Sequence, residues 1–373
     1  MAGNPSPAEA AGVSADHPGT EPEALVLAEV VEGVGVLTLN RPKALNALSL
    51  EMVRGLHTRL AAWLDDPQVR VVLVRGAGEK AFCAGGDIRA LRDSYLADDG
   101  QWLRFFEEEY ALDLFIADYP KPYVALMDGF TMGGGMGIGQ PAALRIVTER
   151  TRMAMPEVGI GYFPDVGGSY FLPRLPGFMG FYLGLTGSRI GAADALFANL
   201  ADIAIPVAER ADLPALARRL CAVPWHRPPK QRIAAWQHQA DVGLPPLAEF
   251  SEAIALHFSQ KGAAGVIASL RTEDRPSFRA WAQETLALIA TRSPLAVAVT
   301  WELLYRGSAM PLAECLQMEL ALDQAWFPRG DLMEGVRALI VDKDQQPRWS
   351  RASIDAVDEV LVQSFFTQNP DRN

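Results

Sequence analysis

Two carboxylates and two glycine turns carry most of the chemistry open to this sequence. Glu157 sits behind Pro156, and Asp165 stands eight residues further on. Upstream lie the triplet Gly133-Gly134-Gly135 and, earlier still, the pair Gly85-Gly86. Glycine has no Cβ, so a ligand can approach the main chain closely and find N–H groups free to donate. If a helix starts at the triplet, its first N–H groups lack intrahelical partners and the helix dipole adds partial positive charge there. Such a turn suits an oxyanion, and a nearby carboxylate suits nucleophilic or general-base work.

Two other readings of the triplet fail on context. Between Val124 and Leu144 the only charge is Asp128, and Gly133/Gly137 fit the small-residue spacing of membrane helices. Glycine is too dense there, however, and Pro141 interrupts. Gly137, Gly139 and Ala142 also satisfy a dinucleotide fingerprint, with Glu157 about twenty residues on. That fingerprint must open a full crossover helix, whereas strand-like Leu144-Arg145-Ile146-Val147 follows at once.

The elements that would position these residues read as an alternation of strand, glycine turn and helix, which is an α/β pattern. Ala24 to Leu39 is β-branched and punctuated by Gly33 and Gly35, hence two strands in a hairpin. Ser49 can cap a helix whose stripe is Met52, Leu56, Leu60 and Leu64. Val69 to Arg75 reads as a buried strand by its short β-branched run between turn signals, and Ala81 to Arg89 is a glycine-bearing loop opening a helix. A helix spans Leu103 to Ala117; its Glu107-Glu108-Glu109 triplet reads most simply as a solvated face, with Glu109 able to point inward beside Tyr110. Tyr123 to Met127 and Leu144 to Thr148 are strands. Ligands of open α/β architectures bind outside the carboxyl ends of strands, so the two glycine loops could face one another across one site.

Bulk properties narrow the partners. The chain has 373 residues, 49% hydrophobic and 21% charged, and a net charge of −11 from 34 basic and 45 acidic residues. This gives no general attraction for nucleic acid or an anionic membrane, so an anionic ligand needs a local basic pocket. Cys83, Cys221 and Cys315 form no C-x-x-C pair, which points to neither a disulfide framework nor a zinc site and suits a reducing cytoplasm. No metal-binding or phosphate-loop motif is present. Residues 1–24 read as a proline-rich acidic tail, unlike a secretory signal or mitochondrial presequence. Beyond Ile205-Pro206 the texture turns to helical segments, giving a core over 25–206, a helical region over 207–349 and a C-terminal helix and tail over 350–373.

Several segments resemble the crotonase (enoyl-CoA hydratase/isomerase) superfamily: Asn40-Arg41-Pro42 with Ala44 to Leu48, Phe82 to Arg89, and Gly133-Gly134-Gly135. Ala154 to Glu157, Gly161 to Gly168, Tyr170 to Leu175, Glu334 to Ala338 and Pro347-Arg348-Trp349 are similar to its 3-hydroxyisobutyryl-CoA hydrolase branch. The resemblance implies ββα turns wound into a spiral, a helical C-terminal region, and an acyl-CoA thioester held between the N–H groups of Gly86 and Gly134. In that branch the positions of Glu157 and Asp165 are the catalytic carboxylates, and that of Glu109 contacts substrate. Hydratases of the superfamily carry a further glutamate where this chain has Gly137. The resemblance also implies that Lys43 and Arg89 lie in the loops that serve CoA, with the main chain of Ala84, Asp87 and Ile88 lining the same channel. It implies no metal or redox cofactor; superfamily members are often trimers, so a homo-oligomer is open. Hydrolysis of a hydroxyacyl-CoA is the leading expectation. An enoyl-CoA isomerase using Glu157 alone and a non-catalytic protein of the same fold are the alternatives.

Overall fold

Runs of valine, isoleucine and leucine that alternate between two apolar clusters build the central sheet. The computed structural model describes residues 24–234, 236 and 239–367, so nearly all of the acidic tail expected over 1–24 lies outside the described residues. Strands β1 (Val26–Val31) and β2 (Val34–Leu39) form the antiparallel hairpin that their sequence implies. They are followed by β3 (Val71–Gly76), β4 (Ala81–Cys83), β5 (Tyr123–Met127), β6 (Phe130–Met132), β7 (Leu144–Val147), β8 (Arg152–Ala154), β9 (Ile190–Gly191) and β10 (Ile203–Ala204).

The strands sort into two sheets, one ordered β1-β2-β3-β5-β7-β10 and the other β4-β6-β8-β9. Pairing is parallel from β2 to β10 in the first and from β4 to β8 in the second. Each repeat places one strand in the large sheet, turns, and places the next in the small sheet. A helical segment then returns the chain: α2 (Ile88–Ala97) and α3 (Gln101–Ala117) after β4, and α4 (Gly134–Gly139) after β6. The α/β class and the ββα spiral are therefore as expected.

Alternation decides what each face meets. In β5, Tyr123, Ala125 and Met127 join the main core, while Val124 and Leu126 face a second cluster closed by Leu213, Leu216, Leu220 and Trp236. A strand buried on both faces reads as a continuous apolar run rather than a polar-apolar alternation. The main core extends from Leu37 to Phe365, so the helices beyond Val207 complete both sides of the sheet. Among the described residues no single helix is long and apolar enough to cross a membrane.

Helix α1 (Leu50–Trp63) begins at Ser49, whose side chain accepts from the Met52 N–H, and buries Met52, Leu56 and Leu60. Just before it, Asn46 is fully buried in the left-handed region. Its amide donates to the carbonyls of Ala77 (3.0 Å) and Ala81 (2.8 Å), and its carbonyl accepts from the Arg41 N–H. Asn46 thus ties the loop at 40–48 to the β3–β4 turn that launches the first glycine loop. Asn46→Ala would strand buried polar groups and lower unfolding stability by about 1–3 kcal/mol, read from the denaturant midpoint; an unchanged midpoint would contradict this role.

Candidate active site

The first glycine loop leaves β4 through Gly85, held in a positive-φ conformation. The Leu48 N–H donates to the Gly85 carbonyl (2.8 Å) and the Asp87 N–H donates to the Leu48 carbonyl (2.9 Å). Because those bonds use the flanking residues, the N–H of Gly86 faces away from Leu48. Asp87 then caps α2, accepting from the Ala90 N–H and from Arg41 at 3.0 Å.

The second glycine loop leaves β6. Gly133 has φ 47° and ψ −123°, a conformation that side-chain-bearing residues rarely adopt, and its carbonyl accepts from Met136 and Gly137 to start α4. The N–H of Gly134 is one of the unpartnered donors of that start. Among the described residues neither the Gly86 nor the Gly134 N–H is bonded within the chain.

The two loops touch. A Cβ built on Gly134 would lie 3.5 Å from the Gly86 nitrogen and would overlap Glu109 Oε1; one on Gly85 would lie 3.8 Å from the Gly134 nitrogen. A Cβ on Gly133 would meet Glu157 Oε1 at 3.1 Å. Both free donors and the carboxyl of Glu157 therefore border one cavity of about 80 Å³. Ala84, Ile88, Glu109 and Asp165 line it too. A larger groove of about 720 Å³ lies between β9 and the Pro246–Phe250 turn. It contains neither glycine loop, and its Asp194 is engaged by the Leu247 N–H; convergent donors and acids mark the smaller cavity as the site.

The acids around this cavity are buried without a cation. Glu157, in the turn Glu157–Ile160, has Oε2 without a partner; burial, and then the charge of Asp165, holds it well above the usual carboxylate range. Burial raises Asp165 to about 7, opposed by the Tyr110 hydroxyl at 3.2 Å. Glu109 points inward rather than lying on a solvated face: it is 1% exposed and raised by burial and by Asp113. Its neighbour Glu108 pairs with Arg54 at the surface.

Of the remaining expected residues, Asp87 does not line the cavity, unlike Ala84 and Ile88, and its side chain is committed to the α2 start and to Arg41. Arg89 is exposed and donates to the carbonyl of Ile340 (2.8 Å), and Lys43 is exposed on the turn Pro42–Ala44. Neither cation lines the cavity.

Four acids escaped the sequence reading. Asp113, one turn beyond Glu109 on α3, has both oxygens unpartnered. One of them lies 2.8 Å from where a Cβ on Gly137 would be. On the helix Leu312–Arg329, Glu319 accepts from the N–H groups of Gly167 (2.7 Å) and Ser169 (2.9 Å), fixing the segment after Asp165. Asp323 accepts from the hydroxyls of Tyr110 (2.7 Å) and Tyr162. A signal existed, because Glu319 and Asp323 fall in phase with Cys315, Leu316, Leu322, Trp326 and Phe327 on one apolar stripe. The fourth, Asp331, accepts from the Ser293 hydroxyl (2.6 Å) away from the cavity.

The family model described as enoyl-CoA hydratase/isomerase matches residues 34–366. A protein from Xenopus tropicalis described as 3-hydroxyisobutyryl-CoA hydrolase, mitochondrial, is 43% identical over 340 residues, spanning 89% of this chain and 86% of that one. The Homo sapiens protein of that description is 40% identical over 348 residues, spanning 91% and 88%. Among solved structures, one described as a carnitinyl-CoA dehydratase from Mycobacterium thermoresistibile superposes with a TM-score of 0.81 at 42% identity, covering 93% of this chain and 97% of that one. One described as an enoyl-CoA hydratase from Rhodobacter sphaeroides 2.4.1 gives 0.81 at 40%, covering 92% and 97%. With the glycine loops, the ββα spiral and a family match over most of its length, this chain belongs to the enoyl-CoA hydratase/isomerase family.

Proposed function

We propose that the chain hydrolyses the thioester of a 3-hydroxyacyl-CoA, with 3-hydroxyisobutyryl-CoA as substrate, releasing 3-hydroxyisobutyrate and CoA, a step of valine breakdown. The observation that carries this reading is the convergence of two unpartnered backbone donors and a buried carboxyl on one small cavity. The names of the relatives support the substrate.

In this mechanism the thioester oxygen sits between the N–H groups of Gly86 and Gly134, and Glu157 attacks the carbonyl carbon or activates water to do so. Charge that develops on the oxygen is stabilised by donors already in place, an effect worth about 3 kcal/mol per donor. On the covalent route the CoA thiolate leaves a mixed anhydride on Glu157. Asp165 then takes a proton from the water that cleaves it, restoring the Glu157 carboxylate. Glu109, with Oε1 unpartnered beside Gly134, accepts from the substrate 3-hydroxyl. Lys43 and Arg89 meet the CoA phosphates outside the cavity. No metal or redox cofactor enters.

A second reading, isomerisation or hydration of an enoyl-CoA, is favoured by the descriptions of the two solved relatives. Concerted hydration wants an acid at 137, where a side chain would collide with Val166 and Asp113. The relatives are described as mitochondrial; a cytoplasmic location for this chain stays our proposal, supported by its three free cysteines, and cell fractionation tests it.

Thiol release from hydroxyacyl-CoA should fall at least about a thousandfold in Glu157→Gln, a loss of the size seen when a nucleophile that acts with its partners is removed. Intact release in that variant sinks the assignment. Trapping with hydroxylamine, or transfer of labelled oxygen into Glu157, separates the anhydride from the water route. Gly134→Ala, intruding on Glu109, should cost about a hundredfold in kcat, and a loss confined to KM would argue against the oxyanion role. Because the base works ionised, kcat/KM should rise with pH through about 7, the value of Asp165. Glu157 must be ionised as well, so the limb belongs to the coupled pair. A flat profile across neutral pH would contradict the assignment.

A further inference from the structure

Behind Asp165 lie two groups, Tyr110 and Asp323, that do not line the active-site cavity and that the mechanism above leaves unused. The Tyr110 oxygen is 3.2 Å from Asp165 Oδ2 and 2.7 Å from Asp323 Oδ2. All three residues are buried. A phenol carries one hydrogen, so it can donate to one of these carboxyls only. The other carboxyl must then carry a proton and donate to the phenol oxygen, since two bare carboxylates facing one lone pair would repel it. Hydrogen-bond count alone thus places one shared proton on the Asp165–Tyr110–Asp323 chain. The Tyr162 hydroxyl donates to the opposite oxygen of Asp323, so Asp323 is satisfied as an anion when Tyr110 turns to it.

We infer that Asp323 takes this proton from Asp165 through the Tyr110 hydroxyl, so that Asp165 stands ionised within the buried site before it takes a proton from water. The inference rests on the reading in which Asp165 takes a proton from water. In the step, the Asp165 proton passes to the Tyr110 oxygen while the Tyr110 hydrogen passes to Asp323. Only O–H bonds form and break, and the chain keeps one negative charge through this exchange; the proton that Asp165 then takes from water is a second one, and it leaves again through Asp165, which lines the cavity. Asp323 and Tyr110 are positioning residues, because neither lines the cavity. The other titratable groups facing Asp165 are Glu109 and Asp113 from α3, Glu157 and Tyr162 from the turn at 157–162, and Glu319 from the helix Leu312–Arg329. None is a cation, so no salt bridge competes for the Asp165 charge.

The test uses the full chain and two readouts. One is the acid limb of kcat/KM for hydroxyacyl-CoA hydrolysis. The other, independent of turnover, is the pH midpoint of the protonated-carboxyl infrared band that Asp165→Asn removes. Tyr110→Phe deletes the donor to Asp165 and should move both midpoints up by about one pH unit, the worth of one such bond. Asp323→Asn leaves the Tyr110 hydrogen free for Asp165 and should move both down by a similar amount. Tyr162→Phe weakens Asp323 as an anion and carries the same downward sign if Asp323→Asn does not fold. Opposite shifts support the relay. Shifts of one sign, or none, overturn it, because a merely structural role has no reason to separate the variants. If the wild-type chain releases no thiol, the hydrolase reading fails on its own, and the infrared midpoints still decide the relay.

Discussion

Two glycine turns from different repeats meet in this fold, with Gly85 and Gly133 at positive φ and Glu109 filling the space a side chain on Gly134 would need, and that contact governs the whole site. Gly85-Gly86 and Gly133-Gly134 meet tip to tip: a Cβ on Gly134 would lie 3.5 Å from the Gly86 nitrogen and would overlap Glu109 Oε1, and one on Gly133 would lie 3.4 Å from the Gly85 Cα. Each loop is the turn by which the chain passes from a strand of the small sheet into a helix. Parallel pairing of β4 with β6 therefore sets the two N–H groups side by side. The donors are preset by secondary structure, so on the proposed mechanism no reorganisation would be needed as charge develops between them.

Around that pair the protein gathers carboxyl groups, and among the described residues no cation lines the cavity. Glu109, Asp113, Glu157, Asp165 and Asp323 are all buried and raised, each first by loss of water and several by one another. Like charges so placed cannot all be ionised, and protons are shared across the group. A neutral thioester with a hydroxyl is a ligand such a pocket can admit on the proposed reading, while phosphates stay outside, near Lys43 and Arg89. Gly137 shows the same economy of space: Asp113 fills, from α3, the place a side chain at 137 would need.

Much of this was legible in the residues. The Ser49 cap, the hairpin β1–β2, the strands β5 and β7, and the helix start at the glycine triplet all follow from local chemistry. The strands β4, β6 and β8, three residues each, are too short for periodicity to reveal, although they form the small sheet that aims both loops. Glu109 looked like part of a charged surface until the phase of Phe105, Phe106, Leu112 and Ile116 placed it on the buried face of α3. Asp323 reaches Tyr110 across 213 positions of sequence, and Arg89 reaches Ile340 across 251. Contacts of that range are set by how helices dock, which no local pattern encodes.

The most direct measurement is a crystal structure of the Glu157→Gln chain with 3-hydroxyisobutyryl-CoA bound. The thioester oxygen should lie about 3 Å from both the Gly86 and the Gly134 nitrogen, with residue 157 facing the carbonyl carbon. A thioester bound elsewhere, or either amide turned back onto its own chain, would contradict the hydrolase mechanism.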